Sequence, residues 1–356
     1  MDRILVPLPV PRDRDALKKN THYEYHFLPD SHYHVLKPSP QFNILRYIQE
    51  CKQYIEENEI RGVLATHDVN ALIAAVLHEE CGLIGPSVES MFLSTHKYYS
   101  RCLETKPISF EVMDFWSDDC EKLRYPCYVK SPCLAGSFYQ YWVHSPQQMK
   151  RVLKLLRKKL PQVQKLFYDF FSHYIDHSKY PLSNKEIILV EEIMSDAKQY
   201  CVEGWVDKYG DIHTWAVTDH FYYPGKQMIF DHFATPSAES ANDQKQLIAF
   251  AHEIIGKHGI RNGFWNVEIW KKDSQYWITE VNGRAAASWY SLYEKAHGQD
   301  LYQAISDLAL GKKVDYQRKN KGKVGIQFPV ITSKEGLARD LFDFDFAKTV
   351  SGLRIL

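Results

Sequence analysis

The chain has 356 residues, with 44 basic against 44 acidic side chains, and is 25% charged, 45% hydrophobic and 14% aromatic. That composition excludes disordered, collagenous and low-complexity chains, and a net charge of zero leaves no electrostatic footprint for nucleic acid or an anionic membrane. At roughly 100 to 200 residues per domain, the length suits two or three domains with a cleft between lobes.

The longest apolar run, Ala71 to Leu77, falls short of the roughly 20 residues a spanning helix needs. The N-terminal stretch Met1 to Val10 reads as a strand with prolines rather than a secretion signal. Cysteines at 51, 81, 102, 120, 127, 133 and 201 form no C-x-x-C pair, so reduced thiols in a cytoplasmic protein are expected, with neither zinc nor disulfides.

Strand and helix alternate over the first 90 or so residues: Ile4 to Val6 as a strand, Asn43 to Glu57 as a helix, Gly62 to Ala65 as a second strand. Thr66, His67 and Asp68 then cap a helix through Ala71, Ala74 and Leu77. A strand feeding a helix through a polar turn is the unit of a doubly wound parallel sheet, whose ligands sit at the carboxyl ends of its strands. A helix is expected around Ser94 to Leu103, a strand at Tyr125 to Lys130, and a long basic amphipathic helix between Pro146 and His177. Its lysines read as a solvated face. Strands follow near 187–193, 199–206, 212–218 and 228–233, then a helix at Gln244 to His258.

The sharpest feature is Phe264 to Asn282, two strands joined by a polar turn. A three-residue turn at 273–275 pairs Lys272 with Tyr276 and sets Glu268 across from Glu280, with Asn282 on the same face as Glu280. Apolar neighbours on both faces keep these carboxylates from free solvation, and two opposed carboxylates repel. A hard divalent cation, Mg2+ or Mn2+, resolves the conflict, and an all-oxygen set of Glu268, Glu280 and Asn282 suits it. The bland alternative is a hairpin with both glutamates turned to water. His22, His26, His32 and His34 read as loop histidines rather than ligands, and no G-x-S-x-G, P-loop or G-x-G-x-x-G occurs.

Glu268 followed by Glu280-Val281-Asn282-Gly283-Arg284 resembles the metal-binding signature of the ATP-grasp superfamily, and the segment from Gly62 to Ser87 is similar to the end of the domain that precedes the grasp fold in its carboxylate-amine ligase branch. The resemblance implies an α/β (α+β grasp) architecture: an N-terminal doubly wound parallel-sheet domain over 1–90, a two-lobed ATP-grasp domain over 91–312 with a helical insertion at about 146–180, and a short C-terminal β segment over 313–356. It also implies ATP and Mg2+ as cofactors. Lys97 and Lys130 match the two phosphate-binding lysines, Ser137 lies in a phosphate loop with a single glycine, and Ile188 to Ile193 matches the hinge strand that holds adenine. Either Glu191 or Glu192 would serve the adenine amino group or the ribose. Ile193 completes that hinge, and Gln199 stands where relatives often place an acidic residue for the ribose.

By the same resemblance, a small-molecule carboxylate attacks the γ-phosphate, with Lys130 offsetting charge and Arg284 holding the phosphoryl group or the substrate carboxylate. The resulting acyl phosphate is captured by an amine, and amino acids are natural candidates for both partners. His220, Tyr222, Thr66 and His67 are further cleft-lining candidates. A non-catalytic nucleotide- or partner-binding protein, or a kinase-like relative that stops at the phosphorylated product, are the competing readings.

Overall fold

The computed structural model describes residues 1–34, 39–134, 139–223, 226–319, 322–329, 334 and 336–350. Three sheets organise them. The first is parallel, with strand order β2-β1-β3, built from β1 (Arg3–Pro7), β2 (Glu24–Leu28) and β3 (Gly62–Val63). It packs with α1 (Pro11–Leu17), α2 (Ile44–Glu57) and α3 (Asp68–Glu80). Helix α3 is buried from Val69 to His78, as expected of a helix apolar on all sides. His67 caps it through Asn70, whose Oδ1 accepts the backbone N–H of Thr66 and His67 at 3.0 and 2.9 Å. This cap fixes Asp68 as the first helical residue, at the carboxyl end of β3.

The helix expected around Ser94 to Leu103 is two helices, α4 (Val88–Thr95) and α5 (Lys97–Cys102), broken at His96. The break sets Lys97 at the start of α5, where its backbone N–H donates to the Pro132 carbonyl at 2.6 Å. The second sheet is antiparallel, order β4-β7-β5-β6, from β4 (Phe110–Asp114), β5 (Cys127–Lys130), β6 (Tyr141–Val143) and β7 (Ile187–Glu192). Between β6 and β7 runs α6 (Pro146–Tyr174). Its buried face, including Met149, Leu153, Leu156, Leu160 and Phe171, packs inward. Buried Gln164 donates to Ser131 Oγ at 2.6 Å, so α6 buttresses the segment that follows Lys130.

The third sheet is antiparallel, order β12-β11-β8-β9-β10-β13: β8 (Lys198–Val206), β9 (Ile212–Tyr223), β10 (Lys226–Thr235), β11 (Gly263–Lys272), β12 (Gln275–Asn282) and β13 (Gly325–Gln327). Helix α7 (Ala241–His258) backs it, and a 3-10 turn, Ala287–Trp289, leads into α8 (Tyr290–His297) and α9 (Leu301–Ala309). A bulge between Glu203 and Gly204 re-registers β8 against β9. A Cβ at Gly204 would strike the His213 carbonyl, so only glycine fits there. The expected C-terminal β segment is corrected. After the single strand β13, the described residues form two short exposed helices, α10 (Ala338–Leu341) and α11 (Phe344–Thr349).

All seven cysteines are unpaired. Among the described residues no helix is long and apolar enough to cross a membrane.

Candidate functional site

The second and third sheets face each other across a cleft of about 520 Å3. Its third-sheet wall carries the hairpin. Glu268 and Glu280 are directly paired, as are Asn266 and Asn282. The turn differs from expectation: Lys272 pairs with Gln275 across a two-residue turn, with Asp273 at φ 54°. A bulge between Glu268 and Ile269, opposite Thr279, then restores the register. Burial, then the charge of Glu280, pushes the Glu268 carboxyl up to about 7. Its partner is an amide: Gln199 Nε2 donates to Glu268 Oε2 at 3.0 Å.

Both lysines reach this wall from separate elements. Lys97 Nζ lies 3.4 Å from Glu280 Oε2 and donates to the Leu134 carbonyl at 2.8 Å. Lys130 Nζ ends β5, 2.6 Å from Glu191 Oε2 and 3.4 Å from the Thr279 carbonyl. Burial is the main reason that its ammonium is pushed down to about 8; the like charges of Arg101 and Lys97 act in the same direction and Glu191 opposes them.

Behind Lys130 lies a buried charge network that sequence reasoning missed. Arg101 Nε donates to Glu191 Oε1 at 2.9 Å, Nη1 to Glu104 Oε1 at 2.7 Å, and Nη2 to the Thr279 carbonyl at 2.7 Å. Burial works against the charge on Glu191, but Arg101 and Lys130 outweigh it and hold its pKa below the ordinary carboxylate value. Geometry distinguishes the two adjacent glutamates. Both oxygens of Glu191 are engaged by cations, whereas Glu192 is exposed at the cleft and donates its backbone N–H to the Ser109 carbonyl. The i, i+3 spacing of Arg101, on the helix that carries Lys97, and Glu104, just past the end of that helix, was the available signal.

Arg284 is anchored from the N-terminal domain. Its Nε and Nη2 donate to Asp68 Oδ1 and Oδ2 at 2.7 and 3.3 Å, and Nη2 also donates to Asn282 Oδ1 at 3.1 Å. Gly283 makes this approach feasible, since a Cβ there would run into the Met91 side chain on α4. The following segment is fixed by Glu203, buried on β8, whose Oε1 accepts the Ala286 N–H at 3.0 Å and whose Oε2 accepts from Tyr293 at 2.8 Å. Burial pushes Glu203 up to about 7, against those two hydrogen bonds.

The structure therefore brings Lys97, Lys130, Glu191, Glu192, Ile193, Gln199, Glu268, Glu280, Asn282 and Arg284 to or beside one cleft. Ser137 lies outside the described residues. Gln199 is bound at both ends of its amide, by Glu268 and by the Tyr222 hydroxyl, at a ladder position opposite Trp270 and His220. Two further candidates are corrected. Thr66 donates to Asp13 at 2.7 Å and His67 Nε2 lies 3.1 Å from the Leu8 carbonyl, so both serve inside the N-terminal domain while their neighbour Asp68 reaches Arg284.

Residues 123–292 match the family model of the ATP-grasp domain, and α6 falls inside that span. The chain thus carries an ATP-grasp domain and the ATP-grasp fold. Among similar solved structures, an L-amino acid ligase from Bacillus licheniformis is 13% identical, aligned over 93% of this chain and 81% of that one, with a TM-score of 0.70. A phosphoribosylglycinamide synthetase from Anaerococcus prevotii is 16% identical over 94% and 82%, TM-score 0.62. The biotin carboxylase domain of 2-oxoglutarate carboxylase from Hydrogenobacter thermophilus, captured with MgADP and bicarbonate, is 13% identical over 90% and 72%, TM-score 0.62. At such identities the likeness is one of fold. No curated protein matches the chain in sequence.

Proposed function

We propose that the protein is an ATP-dependent carboxylate-amine ligase, which activates an acid as its acyl phosphate, passes the acyl group to an amine and releases ADP and phosphate. The observation that carries this reading is a convergence on one cleft: two buried ammonium groups, two directly opposed carboxylates and a guanidinium clamped by its own carboxylate. Ligase relatives of the same fold support it.

In this reading Lys97 and Lys130 offer compact positive charge to the polyphosphate, and Glu191 with Arg101 holds Lys130 in place. The exposed Glu192 and the backbone of Ile193 serve the base and ribose at the hinge. A divalent cation fits the hairpin. Glu268 and Glu280 with the Asn282 amide are hard oxygen donors, and Glu268, whose pKa is pushed up, has no ion-pair partner among the described residues. Such a set suits Mg2+ or Mn2+, whose shell is otherwise completed by water and phosphate oxygens. When bound, the cation neutralises charge building on the phosphates.

Arg284 keeps donor capacity for the substrate, since its Nη1 makes only a 3.4 Å contact with the Ala285 carbonyl. It can hold the acid or the phosphoryl group in line while Asp68 fixes its plane. The protein's work is charge and positioning, with closure around the acyl phosphate to exclude water. The test is ADP release with MgATP against panels of small acids and amines. Release that needs both substrates is expected. Release with acid alone and a stable phosphorylated product would mean a kinase, and absence of any Mg-ATP-dependent rise in thermal midpoint would refute the reading.

A further inference from the structure

The end of the cleft away from the lysines is built of rings. On β9 and β10, Tyr222 pairs with Phe230 and His220 with Phe233, while β8 sets Gln199 beside His220. Tyr222 stacks on Phe230 at 4.7 Å and, more distantly, on Trp270 at 5.9 Å. Phe230 meets Phe233 at 4.9 Å, and Phe233 meets Trp289 at 5.2 Å. Tyr222, Phe230, Phe233, Trp270 and Trp289 all line the cleft.

Three features separate this wall from the nucleotide end. Strand β9 lies three strand spacings from β12, about 14 Å from the carbonyl and carboxylate that the lysines contact. Apart from Glu268, which shares β11 with Trp270, the cleft-lining charges of the described residues, on Arg101, Lys130, Glu191, Glu192, Glu280 and Arg284, sit on other elements. Trp289 follows Arg284 by five positions, in the segment that Glu203 ties down through Ala286, so wall and guanidinium belong to one continuous piece of backbone. Behind the wall His220 sits edge-on to Phe230, Phe233 and Trp289 at 5.5, 4.9 and 5.4 Å. Neither of its ring nitrogens has a hydrogen-bond partner among the described residues. Burial pushes it down to about 3, so it is neutral and adds no charge.

We propose that this aromatic wall receives the body of the acid substrate, and that the acid carries a planar aromatic ring while its carboxylate faces Arg284 and the hairpin. The proposal rests on the ligase reading above. Phe, Tyr and Trp faces recognise a ring by offset stacking and edge contacts as well as by area, and an uncharged wall leaves a charged side chain on the substrate without a counter-ion.

Hydroxylamine makes the test independent of the natural amine. The substrate carboxylate oxygen bonds to the γ-phosphorus as the bond to the β,γ-bridging oxygen breaks, and that oxygen leaves on ADP. The hydroxylamine nitrogen then bonds to the acyl carbon, the carbon-to-phosphate oxygen bond breaks, a proton goes to solvent, and hydroxamate and phosphate are released. We compare 3-phenylpropionate with propionate, and phenylalanine with alanine. The ring-bearing member of each pair is expected to have the higher kcat/KM by on the order of ten- to a hundredfold, the worth of burying one such side chain.

In Phe230→Ala that ratio is expected to collapse toward one. Phe233→Leu, which keeps the volume of the wall nearly intact, guards against misfolding and is expected to lower the ratio by less. Turnover of acids with no ring preference, or a preference unchanged in Phe230→Ala, would overturn this inference and leave the ligase reading standing. Ring-bearing acids that compete with ATP rather than bind alongside it would assign the wall to the nucleotide and overturn it too. Failure of every acid to yield ADP and hydroxamate would overturn the ligase reading and this inference together.

Discussion

The ammonium of Lys130 gives the proposed nucleotide site a pH signature. With its pKa pushed down to about 8, roughly nine-tenths of the free enzyme carries this charge at pH 7 and about one-tenth at pH 9. A bound polyphosphate restores the charge by opposing the loss of the proton, so only the protonated enzyme binds well. The apparent KM for MgATP should therefore rise about tenfold between pH 7 and pH 9. Lys130→Arg, charged throughout, should show a flat profile, and Lys130→Met should be flat at the weak-binding level. Glu191→Gln removes the anion 2.6 Å from Lys130, lowers the ammonium pKa further and should move the rise to lower pH. Folding stability runs the other way. A lysine depressed from 10.5 to about 8 binds fewer protons folded than unfolded between those values, so its contribution improves as pH rises through that window. Steady-state ADP release from pH 6.5 to 9.5 reads the first effect. A flat parent profile, or a rise that survives in Lys130→Arg, would refute the assignment of Lys130 to the phosphates.

Glu280→Ala should lose turnover by on the order of 10³-fold and should lose the Mg-ATP-dependent rise in thermal midpoint, while circular dichroism stays that of the parent; retained activity would sink the metal assignment. Asp68→Asn removes the carboxylate that clamps a largely buried Arg284 and should cost about 2–4 kcal/mol in urea unfolding, with a larger fall in kcat than rise in KM. Arg284→Lys, which keeps the charge but loses the fork, should share the kcat defect. Glu203, raised from 4.5 to about 7, binds more protons folded than unfolded in that window, so the stability it lends at low pH is lost as pH rises through about 7. At about 1.4 kcal/mol per pH unit the loss is on the order of 3 kcal/mol. Glu203→Gln should therefore flatten the urea-unfolding profile between pH 5 and 7, and a slope equal to the parent's would contradict the buried-acid account.

The hairpin shows how far local pattern reaches. Alternation along Phe264 to Asn282 identifies both strands, yet the pairing of Glu268 with Glu280 arises from two departures that cancel: a two-residue turn in place of three, and a bulge at Thr279. Counting residues gives the right partners by a path the backbone does not take, because a bulge leaves no mark in alternation. Helix α3 and its cap were legible for the opposite reason, since a cap is a contact between residues three or four apart. The clamp of Asp68 on Arg284 spans 216 positions and has no local signature. Only the meeting of the N-terminal sheet with the end of β12 creates it. The orientations of Glu191 and Glu192 depend likewise on a central strand held between β4 and β5.

On the proposed ligase reading, the charges in the cleft would make nucleotide and dication one binding event. Each cation already has an anion: Lys130 has Glu191, Arg101 has Glu191 and Glu104, Arg284 has Asp68, and Lys97 has Glu280. Glu268 alone in this set relies on an amide, and there burial and its neighbour raise the pKa to about 7. The weakest of these pairs by distance is Lys97 with Glu280, at 3.4 Å. A polyphosphate that draws Lys97 toward itself leaves Glu280 facing Glu268 with no ammonium between them, and two opposed carboxylates out of water are strongly unfavourable. The same event would bring phosphate oxygens, hard donors of the kind a divalent cation takes, beside Glu268, Glu280 and Asn282, the residues that would hold it. The cations of the site thus hold its anions, and on the proposed reading the pair most easily exchanged for a metal-nucleotide complex is the one beside the two hairpin carboxylates.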